Sequence, residues 1–132
     1  AVDPRRIERV VRNLLSNAIE HGQGEPIDVR VAGSEDAIAI SVRDHGRGLD
    51  DADLDRVFDR FWRADPARAR TLGGTGLGLS IALEDARLHG GRLSVWGRPG
   101  EGALFRLTVP RVAGHPLPAE SPLPLDPTQV QV

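Results

Sequence analysis

The chain has 132 residues and a mass of 14.2 kDa, the size of one domain. Seventeen basic residues, all Arg, against 19 acidic ones leave a net charge of −2, so no basic excess exists to displace counterions from a nucleic acid. Cys and Lys are both absent, which excludes disulfides, thiolate metal sites, a P-loop lysine and Schiff-base chemistry. No apolar run approaches the ~18 residues that a membrane span requires, and no signal peptide opens the chain. The absence of an initiator Met suggests a segment of a longer protein.

Asp3-Pro4 is a helix-start signal, with Asp in the capping position and Pro at the first helical residue. Ile7, Val10, Val11, Leu14, Ala18 and Ile19 recur at three- and four-residue steps and predict an amphipathic helix ending near His21-Gly22. Ile27, Val29 and Val31, then Ile38, Ile40 and Val42, alternate with other residues and predict two half-buried strands in a hairpin. Leu54, Val57, Phe58 and Phe61 suggest a short helix from about Asp51. From Arg63 to Thr75 apolar periodicity disappears, and a long functional loop is expected. A helix from about Leu77 to Leu88 is stopped by Gly90-Gly91. Leu93 and Val95 open a strand, Arg98 to Gly102 a turn, and Leu104 to Val109 its partner. Six of the ten prolines lie at residue 110 or later, so residues 113–132 are expected to form a disordered tail behind a folded unit of residues 1–112. The predicted fold is a two-layer α/β sandwich, a mixed and mostly antiparallel sheet with helices on one face.

Four segments carry candidate chemistry. Asn13 and Asn17 lie one helical turn apart, on or beside an apolar stripe where a carboxamide needs a partner. Such an oxygen suits Mg²⁺, which takes few protein ligands; a pair of core Asn bonded to backbone is the alternative. Asp44-His45-Gly46-Arg47-Gly48 follows a strand, where a buried Asp can accept from an exocyclic amine and glycines admit a ligand; an ordinary Asp-Gly turn fits equally. Phe58-Asp59-Arg60-Phe61-Trp62-Arg63 holds three of the five aromatics, with core packing the better reading for Phe58 and Phe61. Gly73 to Ser80 leads Gly74, Gly76 and Gly78 into a helix N-terminus, a phosphate-binding arrangement. No strand precedes it, which argues against a dinucleotide-binding oxidoreductase.

Taken in order, the Asn-bearing helix, Asp-x-Gly-x-Gly, Phe-x-x-Phe and Gly-x-Gly-Leu-Gly-Leu resemble the ATP-binding catalytic domain of sensor histidine kinases, within the superfamily shared with gyrase, Hsp90 and MutL. The resemblance runs from about Val2 to Pro110, includes His89-Gly90-Gly91 to Val95, and implies the Bergerat-type sandwich. It implies that Asn17 ligates Mg²⁺ and that Asn13 faces the phosphates. Asp44 would bond the adenine amino group, with Gly46 and Gly48 beside the purine and His21 next to adenine. Phe58 and Phe61 would anchor an ATP lid. Arg63, Gly74, Thr75, Gly76, Leu77 and Gly78 would complete the ATP site along the lid and phosphate loop.

Two departures stand out. Glu20 occupies a position where many relatives carry Lys, so that Arg63, Arg68 or Arg70 would supply the missing cation; and only Ala1-Val2 remain of the strand that normally precedes the first helix. The expected activity is transfer of the ATP γ-phosphate to a His on a separate helical dimerisation domain, in two-component signalling. His21, His45, His89 and His115 all lie outside any His-Glu/Asp-x-x-x-Pro-like acceptor helix, so the phosphoacceptor is expected elsewhere. The implied partners are that dimerisation domain and a response regulator. The parent is expected to be a homodimeric, membrane-anchored bacterial sensor with this domain in the cytoplasm, and the isolated domain a monomer. A serine kinase of the anti-sigma-factor type and a non-catalytic nucleotide-sensing module are the alternatives.

Overall fold

The structure, a computed structural model, describes residues 4–59, 78–112 and 114–127. Helix α1 spans Pro4–His21 and is followed by strands β1 (Asp28–Gly33) and β2 (Ala37–Arg43). Helix α2 covers Asp51–Arg56, helix α3 Gly78–Leu88, and strands β3 and β4 cover Arg92–Arg98 and Gly102–Pro110. These match the predicted elements within one or two residues except α2, which ends at Arg56, before Val57 and Phe58 that were read into it; Phe61 lies outside the described residues. Helix α2 begins on Asp50, whose side chain accepts from the Asp53 amide while the Asp53 side chain accepts from the Asp50 amide.

The described strands form one sheet in the order β1-β2-β4-β3, antiparallel throughout. A mixed sheet was expected; no parallel pair occurs among the described strands. Val10, Leu14 and Ala18 on α1 and Ala82 and Ala86 on α3 are buried against Val42, Leu93, Ala103, Phe105, Leu107 and Val109. Alanines at 82 and 86 keep α3 close to α1, and Arg9 of α1 forms a two-pronged ion pair with Asp85 of α3, at 2.7 and 2.8 Å. Phe58 packs edge-on to Phe105 with ring centroids 6.0 Å apart, which bears out its reading as a core residue.

Two sequence expectations need correction. The first concerns β1, read as half-buried. Val29 and Val31 stand opposite Val42 and Ile40 in register yet are 50% and 67% exposed. The strand lies at the sheet edge and α1 packs over β2, so the alternating pattern identifies the strand but not the cover over it. Val31→Thr is therefore expected to change stability by less than about 0.5 kcal/mol, as for an ordinary surface site, measured by urea denaturation.

The second correction concerns the tail. Residues 114–127 were expected to be disordered; they lie instead across the sheet face opposite the helices. Arg92 donates to the Pro118 and Ala119 carbonyls at 3.2 and 3.4 Å, and Arg106 to the Leu123 carbonyl at 3.0 Å. The Thr108 and Ser121 hydroxyls bond each other at 3.0 Å, and Arg98 pairs with Asp126 at 3.5 Å. Leu123 is buried. Proline removes amide donors but leaves carbonyls, and three arginines along the sheet supply partners for such a chain. This third layer explains why Leu104, Thr108 and Pro110 are buried as well as Phe105, Leu107 and Val109: β4 is covered on both faces.

Candidate functional site

A cleft opens between the last turn of α1, the loop after β2 and the start of β4. Asn17, His21, Asp44 and Gly48 line it, together with Arg47, Leu49, Val57, Ala103 and Phe105. Four of the residues singled out in the sequence thus meet at one place, from segments separated by the whole β1–β2 hairpin. Helical spacing places Asn17 and His21 on successive turns of α1. Strand β2 ends one residue before Asp44, which delivers its side chain to the cleft mouth.

Asp44 is only 2% exposed. Its Oδ1 accepts from the Gly46 amide at 2.9 Å, which fixes the carboxylate within the turn. Burial raises its pKa above the ordinary 3.8; the Gly46 and Ala103 backbone amides and the neighbouring His21 and His45 pull the other way without cancelling it. A desolvated carboxylate of this kind suits an amine donor from a ligand.

The two glycines of the turn answer to the protein's own backbone. A Cβ on Gly46 would lie 1.8 Å from the His21 carbonyl oxygen, and one on Gly48 (φ +79°) 1.8 Å from the Arg98 carbonyl oxygen. The turn is therefore wedged between the end of α1 and the β3–β4 hairpin, and any larger residue would displace it from one or the other.

Asn13 does not line the cleft. Its carboxamide lies at the head of α3, where a Cβ built on Gly78 would come within 3.8 Å of Asn13 Oδ1. Two other histidines sit at a turn and at a helix end: His45 is exposed and bonds Asp28 at 2.8 Å, and His89 Nδ1 meets the Asp85 carbonyl at 2.9 Å. Arg63, Gly74, Thr75, Gly76 and Leu77, with Phe61, Arg68 and Arg70, lie outside the described residues. The apolar floor of the cleft, made by Leu49, Val57, Ala103 and Phe105, was missed in the sequence. Val57 and Phe105 read there only as members of a helix and a strand, Leu49 and Ala103 drew no reading, and no local signal separates a core residue that also faces a cavity. No helix among the described residues is long and apolar enough to cross a membrane.

An α/β sandwich with a buried carboxylate, an Asn and an apolar floor in one cleft is the arrangement of a ligand-binding domain. The chain belongs to the Histidine kinase-, DNA gyrase B-, and HSP90-like ATPase family, whose pattern it matches over residues 2–113. It is 57% identical over 126 residues to the sensor histidine kinase MtrB of Mycobacterium tuberculosis, a match covering 96% of this chain and 22% of MtrB. It is 40% identical over 112 residues to the sensor histidine kinase WalK of Bacillus subtilis, covering 83% of this chain and 18% of WalK. The chain thus spans about a fifth of the length of these curated relatives. Among solved structures, the mycobacterial sensor histidine kinase MprB superposes with a TM-score of 0.67 at 28% identity, covering 82% of this chain and 72% of that one. Full-length ShkA in complex with AMPPNP superposes with a TM-score of 0.68 at 25% identity, covering 85% of this chain and 23% of that one. These likenesses support ATP binding by this domain, of histidine-kinase type.

Proposed function

We propose that the domain binds Mg·ATP in this cleft and donates the γ-phosphate to a histidine on a helical dimerisation domain of the same parent kinase, with a response regulator as the next acceptor. The observation that carries this reading is the convergence of Asn17, His21 and Asp44 in one cleft. In this reading Asp44 accepts from the adenine amine, His21 lies beside the purine, and the apolar floor excludes water from the ring. Asn13, at the head of α3, faces the phosphates. The parent is read as a membrane-anchored sensor with this domain on its cytoplasmic side.

The donor set fits Mg²⁺ held mainly by phosphates and water. Among the described residues no group of three or more His, Cys, Asp or Glu could hold a metal ion, and Asn17 offers one hard oxygen at the cleft. When bound there, Mg²⁺ neutralises charge on the phosphate oxygens. The protein's own contribution is positioning: α1 holds Asn17 and His21, and the Gly46 amide orients Asp44. Neither Asn13 nor Asn17 has proton affinity at neutral pH, so neither can serve attacking water as a base beside the phosphates, and ATP hydrolysis by the isolated domain is expected to be slow.

Isothermal titration with Mg·ATP is expected to give roughly −4 to −8 kcal/mol, the millimolar-to-micromolar range. A folded chain that releases no heat would sink the binding site. Supplied with its dimerisation domain in trans, the chain is expected to yield an acid-labile, base-stable phosphohistidine there, and Asn17→Ala to abolish it. Rapid self-labelling of the 132-residue chain, or acid-stable phosphoserine on the partner, would overturn the histidine-kinase reading while leaving the ATP site in place.

A further inference from the structure

We infer that residues 114–127 are a strap that positions the nucleotide loop from behind the sheet. The inference rests on the reading of Asp44 as the adenine acceptor.

The loop from Asp44 to Gly48 has the β3–β4 hairpin as its back wall, and the two are joined through backbone. The Asp44 amide donates to the Ala103 carbonyl at 2.9 Å, and the Gly100 amide to the Arg47 carbonyl at 2.8 Å. A Cβ on Gly48 would strike the Arg98 carbonyl, and one on Gly102 (φ +81°) would lie 2.0 Å from the Asp44 carbonyl oxygen. Backbone against backbone leaves no flexible side chain to absorb a shift. Wherever the hairpin end moves, Asp44 moves with it.

Among the described strands β3 is an edge strand with β4 as its single sheet neighbour. Its outer face is where the strap lies. The strap begins at the far end of the hairpin, with the Pro118 and Ala119 carbonyls on Arg92. It crosses β4 through Ser121 on Thr108 and the Leu123 carbonyl on Arg106. It ends at the turn, where Asp126 meets Arg98. The Arg98 guanidinium also stands 5.6 Å from the Trp96 ring, with that of Arg43 at the same distance from the ring, so the turn end of β3 is clamped from the outer side as well as by the loop. Two edges of the hairpin are thereby tied: one to the nucleotide loop, the other to the strap. Untying the second leaves the loop competent for only part of the time, and apparent affinity falls by that fraction.

The test compares the 132-residue chain with one ending at Val112. Mg·ATP titration is expected to show a dissociation constant raised about fivefold or more in the shortened chain, the figure for a loop competent a fifth of the time. A synthetic peptide of residues 113–132, added to saturation, is expected to restore it. Amide exchange without nucleotide is expected to quicken at Asp44 and Gly100, whose bonds join loop and hairpin, and to stay unchanged along α1 and α3. Should the shortened chain fail to fold, Asp126→Arg in the full chain, which sets two cations against each other at Arg98, is expected to give the same exchange pattern and a weaker version of the affinity loss. Unchanged affinity in a folded shortened chain, or in folded Asp126→Arg, overturns the inference. If the full chain itself does not bind Mg·ATP, the nucleotide reading fails, and exchange at Asp44 and Gly100 alone decides whether the strap holds the loop.

Discussion

At pH 7, Asp44→Asn is expected to melt at a higher temperature than the parent chain while losing most of its affinity for adenine nucleotides. The two effects have one origin. Asp44 is buried, and its pKa is raised above 3.8 because desolvation outweighs the surrounding amides and histidines. A carboxyl group with a raised folded-state pKa contributes stability that is fully present below 3.8 and is lost as pH rises through the folded value. Above that raised value the group is ionised and the stability is gone. Asn keeps the volume and the Oδ1 acceptor that the Gly46 amide uses, and carries no charge to desolvate. The gain in melting temperature should therefore shrink as pH falls through the raised pKa toward 3.8.

Binding changes in the opposite direction. On the proposed reading of Asp44 as the adenine acceptor, with Oδ1 held by the Gly46 amide, the second position on Asn would set an N–H₂ donor against the adenine amine, itself a donor. A mismatched buried hydrogen bond costs on the order of 1–3 kcal/mol, and more when an ionised acceptor is lost. By titration that is roughly a tenfold to hundredfold weaker dissociation constant. Thermal melts and Mg·ATP titrations on the same preparation check both signs. A variant that melts lower and binds as before would remove Asp44 from the adenine site and show that burial of its charge does not limit stability.

The parts of the site readable in the sequence are those with local rules. Asn17 announces itself as a carboxamide on an apolar helical stripe, and Asp44 as an acid at a strand end ahead of two glycines. The packing that explains those glycines was not readable, because Gly46 meets the His21 carbonyl and Gly48 the Arg98 carbonyl, fifty residues away in the second case. The cleft floor was illegible for the same reason: Leu49, Val57, Ala103 and Phe105 satisfy core patterning whether or not a ligand covers them. The tail shows a further limit. Proline content reads as an inability to form regular structure, and residues 114–127 indeed contain no helix or strand. Order comes instead from carbonyls meeting the donors of Arg92 and Arg106 and from the hydroxyl pair Thr108–Ser121, with the three sheet residues on alternate positions of two strands. Composition of one segment says nothing of what a distant face offers it.

Arg9→Met is expected to destabilise the domain more than Asp85→Asn does, although the two residues share one ion pair. The pair is lopsided. The Asp85 side chain is 3% exposed and that of Arg9 is 52% exposed. Losing Arg9 leaves a carboxylate within the α1–α3 interface without its two-pronged cation; losing Asp85 leaves a guanidinium that turns to water. Hydrogen bonds to charged groups contribute about 1.5–3 kcal/mol, so Arg9→Met is placed at about 2–3 kcal/mol and Asp85→Asn nearer 1 kcal/mol. Solvent at Arg9 keeps the first figure below that of a fully buried pair. Arg9→Lys retains the charge but not the fork and should fall between them. The double variant Arg9→Met with Asp85→Leu should recover much of the loss, since no ion is then left inside. Urea denaturation midpoints at constant m-value measure all four. The consequence extends to the site, because Asn13 lies one helical turn beyond Arg9 and faces Gly78 at the head of α3. The pair therefore ties α1, which carries Asn17, to α3, which begins at Gly78. Equal destabilisation by Arg9→Met and Asp85→Asn would mean that the buried carboxylate finds compensation elsewhere, and that helix register is set by Ala82 and Ala86 packing on α1 instead.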